Sequence, residues 1–410
     1  MIQLNYLEKL LGGVDVEWLP LGNLAEIGTG KSNRQDETED GEYPFYVRSK
    51  NILRSSTFQF DEKAIVVPGE GGIGDIFHFV EGKYALHQRA YRIKATSDVL
   101  DTKFLYHFMS SKFKQYILMK SVGATSISIR KPMLEGFQIP IPCPDNPEKS
   151  LAIQAEIVRI LDAFTAMTAE LTAELNLRKK QYNYYRDQLL SFDLSADQAG
   201  EGEVEWKTLG DVTKKWYSGG TPKAGNPEFY EYGDIPWLRT QEVKFADIFD
   251  TDVKVTPAAL QNSSAKWIPE NCVIIAISGA TAGRSGVNKI PLTTNQHCGC
   301  LEIDDKKALY RYVFHWVSFN YENIKALGQG ARGDLNSTII KNFKLPVPYA
   351  NDPAKSLAEQ ARIVAILDKF DTLTTSLQEG LPREIELRQK QYEYYRDLLL
   401  SFPKSEEAVA

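Results

Sequence analysis

Cysteine is nearly absent, and the absence is informative. Four cysteines among 410 residues cannot form the disulfide framework of a small secreted scaffold, and Cys298-Gly299-Cys300 is too tight to act as a zinc pair. No apolar run approaches the roughly 20 residues that a membrane span needs. The first residues, MIQLNYLEKLLGG, lack a basic stretch and a small-residue cleavage site, so they do not read as a signal peptide. Together these absences predict a reduced, cytoplasmic chain with no membrane contact. Histidine is also scarce, with five in the chain. His78, His87 and His297 fall at no metal-ligand spacing, and His297 beside Cys298 and Cys300 reads as strand and core. There is no Walker lysine motif. Gly69-Glu-Gly-Gly-Ile-Gly74 fits G-x-G-x-x-G, but a β-type run (Ile76–Val80) follows it where a dinucleotide loop would open a helix, which predicts a turn.

Asn226-Pro-Glu-Phe229 is similar to the N-P-P-F loop of amino-methyltransferases. Its third position is Glu, however, and no strand with a Gly-rich cofactor loop precedes it. The chain therefore offers no catalytic constellation, no cofactor loop and no metal site. The expectation is a protein that catalyses nothing by itself.

The net charge of −6 is unevenly distributed. Residues 20–140 hold 16 Lys/Arg against 14 Asp/Glu, and residues 208–345 hold the same numbers. The acidity lies in the connecting segments, so two slightly basic blocks sit within an acidic chain. A locally basic face for nucleic acid is compatible with that distribution.

The order of the chain is set by an internal duplication. Ser150-Leu-Ala-Ile-Gln-Ala-Glu-Ile-Val-Arg-Ile-Leu-Asp162 returns as Ser356-Leu-Ala-Glu-Gln-Ala-Arg-Ile-Val-Ala-Ile-Leu-Asp368. Leu177–Phe192 returns as Leu387–Phe402, Val16-Glu-Trp18 as Val204-Glu-Trp206, and Phe137-Gln-Ile-Pro-Ile-Pro142 as Phe343-Lys-Leu-Pro-Val-Pro348. Tyr6-Leu-Glu-Lys-Leu-Leu11 resembles a stub of Tyr185–Leu190. The repeated ends enclose two blocks that resemble each other only faintly. Two copies doing one job on one ligand would match inside as well as at their ends. The repeated parts therefore read as scaffold, and the dissimilar interiors as readers of different things.

The repeated segments are helical. Ile153, Ile157, Ile160, Leu161, Phe164, Met167 and Leu171 recur at spacings of three and four, and Ile363, Ile366, Leu367, Phe370, Leu373 and Leu377 repeat the stripe. Two such stripes in one chain predict mutual burial in an internal coiled coil. Proline-rich linkers, Pro140–Pro144 and Pro346–Pro348, precede each helix and cannot be helical. Gly380-Leu-Pro382 should break or kink the second helix. The tyrosines at 182, 184 and 185, and at 392, 394 and 395, cover too many faces for one seam and read as helix packing. In the blocks, Ala64–Val67, Ile76–Val80, Asn271–Ile277 and Leu301–Ile303 read as strands, whereas Thr102–Lys120 and Tyr310–Leu327 read as helices.

This layout resembles the specificity subunits of type I restriction-modification enzymes. In the second block the resemblance is carried by Ser218-Gly-Gly-Thr-Pro-Lys223, Gly233–Thr240, Ala280-Thr-Ala-Gly283 and Thr294-Asn-Gln296. The first block departs from it, with Gly71–Gly74 and His87-Gln88 at the corresponding places. The tandem Thr168-Ala-Glu-Leu171 and Thr172-Ala-Glu-Leu175 is similar to the type IC subfamily, where such repeats vary in number. The resemblance implies an α+β chain of pseudo-twofold, circularly repeated layout. A stub (1–23) precedes a target-recognition domain (24–142), a first helix (150–192), a second target-recognition domain (204–348) and a second helix (356–402), and the two long helices form an internal antiparallel coiled coil. It further implies a subunit that binds double-stranded DNA and joins two adenine-methyltransferase subunits and two restriction/translocase subunits, with S-adenosylmethionine, ATP and Mg on those partners. The competing reading is a scaffold that grips protein partners without DNA.

Reading DNA requires side chains at base edges, with Arg suited to guanine and Asn or Gln to adenine, and further cations on phosphates. The candidates in the first block are Arg48, Lys50, Arg54, His87, Gln88, Arg89, Arg130 and Lys131. In the second they are Lys223, Arg239, Gln241, Arg284, Asn295, Gln296, Arg332 and Lys341.

Overall fold

The computed structural model describes residues 6–72, 74–120, 128–192, 204–330, 333–376 and 379–403. The chain divides into two compact units, one made of residues 1–173 with 383–410 and the other of residues 174–382. Each is α+β and contains one dissimilar block. The first unit also takes the start of one repeated helix and the end of the other, as the circular order of the repeats demands.

In the first unit a six-stranded sheet runs in the order Ala25–Thr29, Ala90–Ala95, Phe60–Pro68, His78–Leu86, Tyr43–Tyr46, Leu53–Ser55. The second half of strand Phe60–Pro68, from Ala64 on, is buried on both faces, as its continuous apolar run requires. Ile65 and Val67 join the main core with helix Thr102–Lys120, while Ala64 and Val66 pack with Tyr46, Val80, Tyr84 and Leu86. The expected strand at 76–80 begins only at His78. In the second unit a five-stranded sheet has the order Thr213–Ser218, Cys298–Ile303, Val273–Ala276, Ser285–Asn288, Asp247–Ile248. The expected helix 310–327 is split there into Tyr310–Phe319 and Tyr321–Ala326. The split falls at Asn320, whose amide donates back to the Trp316 carbonyl at 3.0 Å. Cys272, Cys298 and Cys300 are buried, and burial pushes the Cys298 thiol up to about 12. They are inert packing groups.

The proline-rich linkers turn out to be strands. Gln138–Pro142 pairs with Val16–Pro20, with Trp18 opposite Pro140, and Lys344–Pro348 pairs with Val204–Thr208, with Trp206 opposite Pro346. Prolines at every second position leave the intervening residues to bond the partner strand, and Ile139, Ile141, Leu345 and Val347 are buried.

The first repeated helix is continuous from Pro147 to Leu190, 44 residues, or about 66 Å at the α-helical rise. Its stripe is used in two ways. In the first unit Ile153, Ile157 and Leu161 enter the block core, and Phe164 then stacks on Tyr395 at 5.2 Å. In the second unit Tyr185 stacks on Phe370 at 5.5 Å, while Ile363 and Leu367 enter that block's core. Met167 is exposed. Tyr182 packs on Phe370 and Tyr392 against the first core, but Tyr184 and Tyr394 stand 62% and 65% exposed, each edge-on to the neighbouring Tyr185 or Tyr395 at 5.4 and 5.3 Å.

The second repeated helix breaks, as Gly380-Leu-Pro382 predicts. One helix spans Pro353–Thr375 and the next Leu381–Leu399. Gly380 has φ +91°, and a Cβ there would strike the carbonyls of Thr372 and Leu373. The four residues by which Phe370–Leu387 exceeds Phe164–Leu177 therefore lie about an interruption and do not extend a helix. Leu377 lies outside the described residues.

Each block is held to its repeated helix by the same buried polar contacts. Gln154 and Gln360, both fully buried, accept from the backbone N–H of Asp101 and Leu309 at 2.8 and 2.9 Å. His107 donates to Asp162 at 2.8 Å and His315 to Asp368 at 2.6 Å. Alongside, Lys103 lies 3.8 Å from Asp162, and Arg311 binds Asp368 and Asp247, the latter at 2.6 Å. Arg311 is only 13% exposed among its carboxylates, so Arg311→Ala should cost about 3 kcal/mol or more in urea unfolding of the second unit. Lys103→Ala, with its long and partly exposed pair, should cost less than about 1 kcal/mol in the first. Equal losses would show that the second clasp does not rest on its arginine.

Candidate nucleic-acid interface

In the first unit three turns meet at one end of the six-stranded sheet. His87 N donates to the Tyr46 carbonyl and Gly69 N to the Arg89 carbonyl, both at 2.9 Å. Into this knot project Arg48, Glu70 and Arg89. The Glu70 carboxylate accepts from Arg48 at 2.9 Å and from Arg89 at 3.2 Å, and these two bonds hold it below the usual carboxylate range. His87 is buried, and its Nδ1 accepts from the Arg89 N–H at 3.0 Å. Burial, then the Arg48 and Arg89 charges, push its pKa down, so it serves as a neutral shaper of the turn. Gln88 is exposed and donates to Asn33. Arg130 is brought to the same place because Ile129 N donates to the Gly69 carbonyl at 2.9 Å. Lys131 pairs with Glu135 at 3.6 Å. Lys50 and Arg54 are exposed on the adjoining hairpin, Tyr43–Tyr46 with Leu53–Ser55.

The second unit builds the same corner from different residues. Asn295 is 9% exposed, and its Oδ1 accepts from the His297 N–H at 3.0 Å, the role of His87 two residues before Arg89. Gln296 is exposed and accepts from Thr221 at 2.6 Å. In both corners a glycine passes so close to a carbonyl that a Cβ could not fit: Gly30 against Leu86 and Gly219 against Thr294. Arg239, at the end of strand Ile235–Leu238, lies 3.2 Å from Glu242 and 3.5 Å from Asp252. Arg284 follows the turn Gly279–Thr281, and its carbonyl accepts from Ala276 N at 2.9 Å. Lys223 and Gln241 are exposed, and Lys341 sits over the Trp216 ring at 5.6 Å. Arg332 lies outside the described residues. Asn226, singled out by its N-P-E-F context, caps a short helix by accepting from Glu228 N.

A search for cations and amides alone misses the carboxylates that organise them. Glu242 could have been found from its i+3 spacing to Arg239. Glu70 has no such signal, because only the fold brings positions 48, 70 and 89 together. A guanidinium steered by a carboxylate is fixed in direction, which suits bidentate recognition of a guanine edge, and a carboxylate can itself accept from a cytosine amino group. Among the described residues no group of three His, Cys, Asp or Glu could hold a metal ion, and no helix is long and apolar enough to cross a membrane.

The type I restriction-modification DNA specificity domain matches the chain twice, over residues 13–178 and 201–387. The specificity subunit of the type I restriction enzyme EcoR124I/EcoR124II from Escherichia coli is 41% identical, with 99% of each chain covered. A putative type I restriction enzyme specificity subunit of Haemophilus influenzae is 31% identical, covering 97% of this chain and 98% of its own. Among solved structures, the S subunit of a type I restriction-modification system from M. genitalium has the same fold, with a TM-score of 0.64, 18% identity and coverage of 98% and 99%. A chain from a structure of the assembly and conformational transition of the type I system gives a TM-score of 0.53 at 14% identity, covering 94% and 97%. The duplicated frame, the paired corners and the double match over most of its length agree: this chain belongs to the type I restriction-modification DNA specificity family.

Proposed function

We propose that this chain reads a two-part double-stranded DNA target, one half with each unit, for a type I restriction-modification complex, and that it does no chemistry itself. The supporting observation is the contrast between frame and corner. Both units repeat the Trp-bearing strand pair, the buried glutamine and the His–Asp clasp, yet the corner carries Arg48–Glu70–Arg89 in one and Arg239–Glu242–Asp252 in the other. The recognition domains on this reading are residues 24–142 and 204–348. Two adenine-methyltransferase subunits would dock on the repeated helices and carry S-adenosylmethionine, while two restriction/translocase subunits would carry ATP and Mg, all in the cytoplasm. The family membership does not favour the alternative of a DNA-free scaffold.

The direct test is co-expression with the modification subunits, followed by sequencing of adenine methylation in the host genome. A bipartite methylated motif is expected only when this chain is present. Methyl transfer by the purified chain alone would refute the non-catalytic part of the reading.

The arginines separate readers from phosphate contacts. If Arg239 reads a base, Arg239→Ala should relax the target at one position, at about 1–3 kcal/mol there. If Arg284 meets phosphate, Arg284→Ala should weaken all sequences alike and reduce the salt slope by about 1. Unchanged affinity and methylation pattern in both variants would remove these residues from the interface.

The tandem Thr-Ala-Glu-Leu tests the helix as a spacer. A third copy after Leu175 adds about 6 Å and roughly 40° of rotation, close to a full turn. With a rise of about 3.4 Å per base pair, the unread gap should grow by one or two base pairs while both half-sites keep their sequence. Methylation at the original spacing would contradict a ruler.

A further inference from the structure

Each unit contains a large cleft that plays no part in its reading corner, and the two clefts are built from equivalent positions. The first, about 940 Å³, is lined by Trp18, Phe108, Met119, Phe137 and Leu400–Phe402. The second, about 800 Å³, is lined by Trp206, Trp316, Leu327, Phe343 and Leu190–Phe192. Trp18, Phe137 and Leu400-Ser401-Phe402 have identical counterparts in Trp206, Phe343 and Leu190-Ser191-Phe192, Phe108 faces an aromatic equivalent in Trp316, and Met119 an aliphatic one in Leu327. The ring geometry repeats as well: Trp18 lies 6.0 Å from Phe108, and Trp206 5.9 Å from Trp316. Both volumes are in the range of true ligand sites.

The corners differ between units because their ligands differ. A cleft whose aromatic and aliphatic floor repeats between the same units, while its polar rim varies, has one apolar ligand, present twice. Nucleic acid does not suit it: Asp15, Glu17 and Asp145 line the first cleft against the single cation Lys112, so phosphate would be repelled there, and the floor of each cleft is aromatic and aliphatic. The segments that follow Leu-Ser-Phe in the two copies, residues 193–203 and 404–410, do not repeat each other in sequence as the clefts do. Met119 and Leu327 are 63% and 46% exposed at the rims, an arrangement typical of surface that a protein covers.

We infer that the two clefts are equivalent sockets, each receiving the same apolar segment from one of two copies of a single partner protein. This rests on the proposed reading, in which that partner is the modification subunit. The sockets extend its docking beyond the helices, to the root of each recognition domain.

The test uses the full chain and purified modification subunit. Met119→Glu and Leu327→Glu each place a charge at one rim without entering a core. Native mass spectrometry of either single variant should show one modification subunit where the wild type binds two. The double variant should bind at least tenfold more weakly, while Met119→Leu with Leu327→Met keeps wild-type binding. Should the charged variants unfold, hydrogen exchange on the wild-type chain decides instead: partner binding should slow exchange at residues 112–119 and 320–327 together. Two subunits bound at wild-type affinity by a folded double variant, or no protection at either stretch, would overturn the sockets while leaving the reading intact. A chain that self-associates through these rims would assign the clefts to a second copy of itself and overturn the inference. Failure of the wild type to bind two modification subunits would overturn the reading, and the sockets with it.

Discussion

A buried imidazole N–H needs an acceptor, and each block turns one, His107 or His315, toward an aspartate of its repeated helix. Asp162 and Asp368 stand one residue after the buried leucines Leu161 and Leu367, where the helix meets its block. Their side chains keep 42% and 35% of their surface in solvent, so each can accept from the buried His107 or His315, with a cation alongside. Eight residues earlier, Gln154 and Gln360 are buried and must likewise find backbone partners, which they do at the entrance of the facing helix. These contacts are directional, unlike the apolar packing around them. They allow only one seating of each block on its helix, and every loop position in the block follows from that seating.

With the seating fixed, the corners are free to vary. In both units a strand end, a tight turn and a glycine pressed against a carbonyl define the same small platform. The turn is held by His87 in one and Asn295 in the other, through the same bond to an N–H two residues on. A change of side chain on such a platform alters the surface it presents without disturbing what holds it. Surface ion pairs such as Arg48–Glu70 add little stability. On the proposed reading they aim a guanidinium.

The sequence made the frame legible because its signals are local and doubled. The helix at Thr102–Lys120 has the bounds expected of it, and the break before Pro382 follows from local backbone chemistry. Other features were hidden because they depend on residues distant in the chain. Pro140 and Pro142 read as a linker because a strand with alternate prolines is recognisable only beside its partner, Val16–Pro20. Met167 matched the stripe and yet is exposed, since helix periodicity does not say where a partner ends. His107 and His315 drew no attention as lone histidines within helices, although Asp162 and Asp368, charged residues against an apolar stripe, were the visible half of each clasp. In the corners, cation-and-amide reasoning named Arg48, Arg89 and Arg239 as candidates but not the carboxylates they pair with, Glu70 and Glu242.

The central claim is that a shared frame carries two independent readers. Exchange of residues 24–138 for the corresponding block of a relative with a different target, followed by methylome sequencing, tests it most directly. The account predicts a new sequence in one half of the methylated motif, with the other half and the spacer length unchanged. A change in both halves, or in neither, would contradict it.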